Sequence, residues 1–152
     1  PHSSILGFSK MGANVTLAHP EGVELDPDIV DAAEDNSDKY GGDFDIVHDM
    51  EEGFEDADVV YPKHWVSTKV GERGVEEEKE IHDQNQHWIA DEEMMSNAKD
   101  DAIYMHPLPA KRGYEATEEV MEGPQSVIYD QAENRLHAQK GVMALTMGGR
   151  GF

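Results

Sequence analysis

The sequence predicts an α/β domain: a three-layer αβα sandwich, Rossmann-like, with a parallel sheet of about five strands. Short β-branched apolar runs alternate along the chain with longer amphipathic stretches. This alternation indicates βαβ units, whose right-handed crossovers place helices on both faces of a parallel sheet. The chain has 152 residues, which suits one domain, and we expect residues 1–152 to form it.

The first half of the chain contains three of the predicted strands. Residues 1–11 are expected to form a helix that enters from elsewhere. Asp26 and Pro27 are typical of the N-cap and first position of a second helix, which Gly41 ends. A short helix is predicted at 50–57. The strands are predicted at 14–19, 44–47 and 58–61.

The second half supplies the remaining strands. The polar stretch 71–86 is interpreted as a long surface loop with some helical content. Residues 91–97 are expected to form a helix capped by Asp91, with Met94 and Met95 facing inward. A loop is predicted from Pro107 to about Thr117. Strands are predicted at 102–105 and 126–129, and a closing helix at 136–147.

Composition excludes several classes of protein. The chain has no cysteine, so disulfides and thiolate chemistry are excluded. No apolar run approaches the roughly 20 residues that span a bilayer, and no signal peptide is recognised, so we expect a cytoplasmic protein without a membrane partner. No Gly-x-Gly-x-x-Gly, Walker or Gly-x-Ser-x-Gly motif occurs. The eight histidines form no His-x-His or His-x-x-x-His pair, so no metal site is expected.

The charge balance is strongly acidic. Asp and Glu number 33 against 12 Lys and Arg, which gives a net charge of −21. Nucleic acid is therefore not an expected partner, because phosphate binding needs a basic surface. Two interpretations stay open: a solvated surface that keeps the protein soluble, or adaptation to high salt, which screens the repulsion.

Ligands of parallel α/β sheets bind beyond the carboxyl ends of strands. Here that rule selects 19–21, 48–49, 62–69 and 106–109. In the last of these, prolines flank Leu108 and restrain the backbone, so the carbonyls of His106, Pro107 and Leu108 form a rigid row suited to an NH₂ group. A plain proline-containing turn after a strand is the alternative.

Two further segments contain candidate site residues. Arg135 is expected in the first turn of the last helix, where a cation gains nothing from the helix dipole, so an external oxygen is its expected partner. A surface ion pair with a neighbouring acid is the alternative. Residues 63–69 concentrate cations that would attract a carboxylate or phosphate, although a solvated loop over a tucked tryptophan is equally open. The candidate residues of this segment are Lys63, Trp65, Ser67, Thr68 and Lys69.

Together these segments resemble the C-terminal signature of ornithine carbamoyltransferases, in the aspartate/ornithine carbamoyltransferase family. The match runs over residues 106–140 in order and spacing, and a weaker match covers most of the chain. It contains His106-Pro107-Leu108-Pro109-Ala110, Arg112-Gly113, Glu118-Glu119-Val120, Glu122-Gly123-Pro124-Gln125-Ser126 and Ala132-Glu133-Asn134-Arg135-Leu136-His137-Ala138-Gln139-Lys140.

The resemblance implies transfer of a carbamoyl group from carbamoyl phosphate to an amino acid, without metal or cofactor, by orientation and charge stabilisation. It implies that the carbonyls of residues 106–108 hold the carbamoyl NH₂, that Arg135 holds the carbamoyl oxygen, and that the loop from Trp65 to Thr68 holds the second substrate. It also implies a trimer.

Three departures leave the amine open. Pro107 stands where ornithine enzymes usually have cysteine. Ser67-Thr68-Lys69 replaces their Ser-Met-Gly. Lys63 stands where an acid is expected two residues before Trp65, and Lys63 cannot engage an ammonium group. The Tyr-Pro-Lys-x-Trp form is more similar to uncharacterised, ornithine-like carbamoyltransferases. An amine that bears an extra carboxylate or acyl group is therefore as open as ornithine.

The phosphate-binding Ser-Thr-Arg-Thr helix start of the family does not occur in these 152 residues. We therefore expect the second-substrate domain of a longer enzyme, which needs an N-terminal carbamoyl-phosphate domain for activity. Two alternatives stay open: a non-catalytic binding or regulatory module with the same fold, and a different parallel-sheet enzyme.

Overall fold

The computed structural model describes residues 1–65 and 74–148, which contain two parallel β-sheets of two strands each. In the first sheet, β1 (Val15–Ala18) pairs with β2 (Phe44–Val47). In the second sheet, β3 (Val59–Val60) pairs with β4 (Ile103–Tyr104). Both pairs are parallel, as expected for βαβ units. The α/β class is confirmed, but no single sheet of about five strands is found among the described residues.

Helices connect and surround these strands. The amino-terminal helix, the capped second helix and the short third helix lie where the sequence predicts them, although the third ends earlier than expected because Glu55 leaves the helical conformation with ψ 122°. The helices are α1 (His2–Lys10), α2 (Pro27–Tyr40), α3 (Met50–Phe54), α4 (Val75–Gln84), α5 (Glu92–Met95), α6 (Glu118–Met121) and α7 (Ile128–Met147). Within the described ranges, none of them is long and apolar enough to cross a bilayer.

The predicted N-caps are confirmed. The Asp26 carboxylate accepts a hydrogen bond from the Asp28 N–H, and Pro27 begins α2. The Asp91 carboxylate accepts from the Met94 N–H at 2.8 Å and begins α5. Each cap satisfies one of the N–H groups that a helix start leaves without an intrahelical partner.

The predicted fifth strand at 126–129 is wrong. Ser126 makes a single parallel bridge to Tyr104, and α7 begins two residues later at Ile128. Good helix formers follow Ile128, and each residue added to a helix already begun contributes one hydrogen bond, so the helix replaces the strand. The prediction for Arg135 is wrong as well: it is the eighth residue of α7 and does not lie in the first turn.

The stretch 71–86, interpreted as a long surface loop with some helical content, is more helical than that interpretation implies. Residues 75–84 form α4, which begins after Gly74 and ends where the Asn85 side-chain NH₂ donates to the Ile81 carbonyl at 2.8 Å. Its Glu-rich sequence favours a helix on propensity, but its polarity conceals the apolar stripe by which sequence analysis recognises helices. Residues 71–73 lie outside the described ranges.

One buried core lies around the second sheet. Its central member, Tyr104, has no exposed surface. The cluster consists of Phe54, Val60, Ala90, Met95, Ala98, Ala102, Tyr104, Ala116, Val120, Met121 and Ile128. Met94 packs against it, so the prediction that both methionines of α5 face inward is confirmed. In contrast, α7 leaves this core after its first turn, and its side chains from 132 to 148 are exposed.

Close backbone contact at the first sheet requires glycine. Gly12 has φ 75°, and a Cβ atom there would lie 2.7 Å from the Gly41 carbonyl oxygen. Gly22 has a similar φ of 84°, but nothing lies within 4 Å of its Cβ position. The two glycines therefore separate the effect of backbone strain from that of steric contact.

We predict that Gly12→Ala destabilises the protein more than Gly22→Ala does. Both alanines lose roughly 1 kcal/mol by adopting left-handed backbone. Only Gly12→Ala also forces backbone atoms apart, which costs roughly 1–3 kcal/mol more. Urea unfolding followed by far-UV circular dichroism measures both. Equal losses in the two variants would contradict the close contact at Gly12.

Candidate functional site

Three chain segments meet at the carboxyl edge of the second sheet. Tyr61 follows β3, His106 follows β4 by one residue, and Gln131 lies in the first turn of α7. The His106 N–H donates to Gln131 Oε1 at 2.9 Å, and Gln131 Nε2 donates to the Tyr61 hydroxyl oxygen at 3.1 Å. One amide side chain therefore connects both strand ends to α7.

The segment from His106 to Pro109 has the restrained backbone that its prolines predict. Leu108 has φ 40°, a left-handed conformation that is unfavourable for residues other than glycine, and the Leu108–Pro109 peptide is cis. Pro107 and Leu108 are exposed, whereas His106 is buried. Among the described residues, none donates a hydrogen bond to the carbonyl of His106, Pro107 or Leu108. No described donor therefore occupies these three consecutive carbonyls.

The protonation of His106 follows from its contacts. The Leu108 N–H donates to His106 Nδ1 at 3.2 Å, so Nδ1 acts as the acceptor and Nε2 bears the proton of the neutral ring. Burial lowers the pKa of His106; Glu115 opposes that shift, and the nearby His64 and Lys63 reinforce it. His106 is therefore neutral at pH 7. Its Nε2 is buried and has no hydrogen-bond partner in the described part of the chain.

The lowered pKa makes this residue a source of acid sensitivity. The unfolded chain takes up a proton on His106 near pH 6.5, whereas the folded chain takes it up only at lower pH. Because the unfolded state binds more protons in that interval, the contribution of His106 to stability falls as the pH drops below about 6.5.

A buried carboxylate lies beside this segment. Glu115 is 3% exposed; its Oε2 accepts from the Lys111 N–H at 2.9 Å, and its Oε1 lies 3.6 Å from His64 Nε2. The same Oε1 accepts no hydrogen bond within the described ranges. Tyr104 also has a buried hydroxyl without a described partner, and burial, assisted by Glu115, raises its pKa. Tyr104 therefore stays protonated at any physiological pH.

An aromatic group holds the end of the segment after β3. Trp65 Nε1 donates to the Tyr114 carbonyl at 3.3 Å, and the His82 ring stacks on the Tyr114 ring with centroids 4.3 Å apart. The Lys111 ammonium lies 3.2 Å from the centroid of the Tyr114 ring, which is a cation–π contact. Trp65 is therefore packed, as one interpretation of the sequence predicted.

The predicted site residues are only partly brought together. Lys63 is exposed and close enough to His106 to lower its pKa, so those two segments share one edge. Arg135 is exposed and makes no hydrogen bond or ion pair with any described residue, so neither direct contact with the 106–108 segment nor the alternative of a surface ion pair is observed. Ser67, Thr68 and Lys69 lie outside the described residues.

Two histidines meet at the carboxyl edge of the first sheet. His19 follows β1 and His48 follows β2, and their rings meet edge to face with centroids 4.7 Å apart. Cavities of about 320 and 300 Å³ lie here, and His48 lines both. They include the strand-end positions His19, His48 and Asp49, but none of the candidate residues at 63–69, 106–108 or 135. In the described ranges, no group of three or more His, Asp or Glu side chains is arranged to hold a metal.

Sequence reasoning missed Gln131, Glu115 and His64. Gln131 directly precedes the motif that starts at Ala132, so its position beside the motif was an available signal. Glu115 is one of 33 acids and had no distinguishing pattern. His64 lies inside the cationic segment, but its role depends on Glu115, a contact that only tertiary structure reveals.

Comparison with known proteins identifies the class that this fold and edge define. The profile of the family "Aspartate/ornithine carbamoyltransferase, Asp/Orn binding domain" matches residues 1–146. This chain belongs to the aspartate/ornithine carbamoyltransferase family. The matched region includes β1 to β4, the segment after His106 and nearly all of α7.

Two of the similar proteins are ornithine carbamoyltransferases. The chain is 47% identical over 148 residues to an ornithine carbamoyltransferase of Thermococcus kodakarensis, covering 97% of this chain and 46% of the relative. It is 44% identical to the anabolic ornithine carbamoyltransferase of Pyrococcus furiosus, covering 99% and 47% respectively. The chain thus spans less than half the length of these relatives.

Solved structures agree on the fold. A structure of ornithine carbamoyltransferase from Pyrococcus furiosus superimposes with a TM-score of 0.88 at 41% identity, over 99% of this chain and 47% of that one. A structure of acetylornithine transcarbamylase complexed with acetylcitrulline superimposes with a TM-score of 0.86 at 36% identity, over 95% and 43%. Both ornithine-type and acetylornithine-type enzymes are therefore similar to this chain.

We predict that Gln131→Ala destabilises the protein by roughly 1–3 kcal/mol, because it leaves the His106 N–H without its acceptor. Gln139→Ala is the matched control: Gln139 lies on the same helix, is exposed and is expected to change stability by less than about 0.5 kcal/mol. Urea unfolding measures the difference. Indistinguishable variants would show that Gln131 does not hold the strand ends together.

Proposed function

We propose that this chain is the second-substrate domain of a carbamoyltransferase, which transfers the carbamoyl group from carbamoyl phosphate to the amine of ornithine or a related amino acid. The observation that supports it best is the row of carbonyls at His106, Pro107 and Leu108 that no described donor occupies. A carbamoyl NH₂ has two donors and needs acceptors held in fixed positions. Membership of the family supports the same reaction.

In the proposed reaction the amine nitrogen attacks the carbamoyl carbon, a C–N bond forms, and the C–O bond to phosphate breaks. Phosphate leaves with the bonding electrons and takes up the proton that the amine loses. The three carbonyls orient the carbamoyl group, and Arg135 stabilises the negative charge that develops on its oxygen. Lys63, Trp65, Ser67, Thr68 and Lys69 bind the amino acid.

In this proposal Arg135 acts only when a second domain closes over the carboxyl edge of the second sheet. It lies on the exposed part of α7, without a described partner. We propose that an N-terminal carbamoyl-phosphate domain binds the phosphate and closes over this edge, which would bring Arg135 to the substrate. We also propose a trimer of such two-domain chains in the cytoplasm, because the family resemblance implies that assembly.

The proposed identity of the amine substrate rests on the positive charge of Lys63. An exposed ammonium beside the carbonyl row repels a substrate ammonium and attracts a carboxylate or an acyl oxygen. The similarity to acetylornithine transcarbamylases supports an N-acylated ornithine as well as ornithine itself. Carbamoyl phosphate and one of these amino acids are thus the proposed substrates.

The test is phosphate release by the complete protein that contains this chain, given carbamoyl phosphate and a panel of ornithine, N-acetylornithine, N-succinylornithine and aspartate. We expect release above the amine-free rate with at least one ornithine-type amine. Release with none of them, together with measurable binding of an amino acid, would favour a non-catalytic binding module.

We predict that Arg135→Ala lowers turnover at least about tenfold, because it removes the cation that stabilises the carbamoyl oxygen. Lys140→Ala is the control, since it removes another exposed cation from the same helix. Circular dichroism checks that both variants fold. Unchanged turnover in Arg135→Ala would remove that residue from the site.

We predict that Lys63→Asp shifts amine preference toward ornithine, because a carboxylate at that position attracts a free ammonium group. The ratio of kcat/KM for ornithine to that for N-acetylornithine measures the shift. The same ratio in Lys39→Asp, on α2, shows the effect of a distant charge change. If both variants keep the wild-type ratio, Lys63 does not contact the amino acid.

A further inference from the structure

Glu115 stands apart from the other acids of the chain. It is 3% exposed, and no other Asp or Glu whose side chain the structure describes is buried to that degree. An ionised carboxylate loses several kcal/mol of hydration on burial unless charged or hydrogen-bonding groups surround it. In a chain with a net charge of −21, an exposed position for this carboxylate would cost less free energy than a buried one. The contacts that Glu115 makes are therefore informative.

Its carboxylate faces two different segments. Oε2 accepts from the Lys111 N–H at 2.9 Å and so fixes the turn that follows the carbonyl row. Oε1 lies 3.6 Å from His64 Nε2, in the segment after β3. The backbone carbonyl of Glu115 accepts from the Ala90 N–H at 3.0 Å, which anchors the residue from a third direction. Glu115 is thus held in place and reaches both sides of the site.

The neighbouring residue makes a parallel connection. The Tyr114 carbonyl accepts from Trp65 Nε1 at 3.3 Å. His64 and Trp65 are consecutive, and so are Tyr114 and Glu115, so two adjacent contacts join the same two segments. A contact between single residues allows rotation about itself, whereas two adjacent contacts restrict both distance and orientation.

We infer that Glu115 is a positioning residue, whose charge holds the amine-side segment Lys63–Trp65 in register with the carbonyl row at His106–Leu108. This inference rests on the proposed function. The two segments carry the groups proposed to bind the two substrates, so their separation sets the distance between the amine and the carbamoyl carbon. A misplacement on the order of 1 Å lowers the rate of such a reaction about a hundredfold.

Substitution by glutamine removes the charge of Glu115 but keeps the size and shape of its side chain. Glu115→Gln keeps a side-chain oxygen that can accept from the Lys111 N–H but loses the negative charge, which forms an ion pair with His64 when that ring is protonated. A purely structural role predicts normal kinetics in this variant, because an uncharged amide is easier to bury than a carboxylate. The positioning role predicts a defect in the use of the amine.

The kinetic test uses the complete protein. We expect Glu115→Gln to lower kcat/KM for the preferred amine about tenfold, while KM for carbamoyl phosphate stays within about twofold. We expect His64→Asn to give the same defect, and the double variant to be no worse than either single variant. Glu119→Gln, at an exposed acid of α6, is the matched control and keeps wild-type kinetics. Wild-type kinetics in Glu115→Gln, or additive defects in the double variant, would overturn the inference.

A second test does not depend on activity. The two tryptophans of this sequence, Trp65 and Trp88, each contribute an indole N–H signal to the NMR spectrum of the protein. We expect Glu115→Gln to shift the Trp65 signal and leave that of Trp88, and Glu119→Gln to shift neither. An unmoved Trp65 signal overturns the inference. A shifted signal in a protein that carbamoylates no amine supports the coupling between the segments and overturns the proposed function instead.

Discussion

The parallel pairing of β3 with β4 is the constraint on which the candidate site depends. Val59 pairs with Ile103 and Val60 with Tyr104, so both chain segments leave the sheet at the same edge. Trp65 and Tyr114, separated by 49 positions in sequence, are thereby brought within hydrogen-bond distance. An antiparallel pair would send the two segments to opposite edges, and the amine-side segment would not meet the carbonyl row.

Polar groups buried at this edge are only partly satisfied. His106 Nε2, Glu115 Oε1 and the Tyr104 hydroxyl have no hydrogen-bond partner in the described ranges. Buried polar groups are normally paired, because an unpaired one costs about 1–3 kcal/mol. The other two buried side-chain atoms without a described partner are the hydroxyl oxygens of Ser37 and Ser126.

Much of the local structure was predictable because its causes are local. The caps at Asp26 and Asp91 and the loop after His106 depend on residues within one turn of the chain. Two predictions that differ from the structure concern segments that are helical in it. Residues 126–129 include the β-branched Val127 and Ile128, which favour a strand, but the chain enters helix α7 at Ile128. Helix α4 contains only two large apolar residues, Val75 and Ile81, so its sequence lacked the continuous apolar stripe by which helices are recognised.

The sequence by itself identified the family, which the family profile confirms, because family membership is a matter of residue identity and spacing. On the same basis it predicted the carbonyl row at His106 to Leu108 and the departure at Lys63. Tertiary structure alone showed that Gln131 connects two strand ends and that Glu115 joins His64 to the Lys111 turn. The physical reason is that a buried polar contact depends on what lies opposite in space. Among the acids whose side chains the structure describes, burial distinguishes Glu115, and no local sequence pattern indicates that burial.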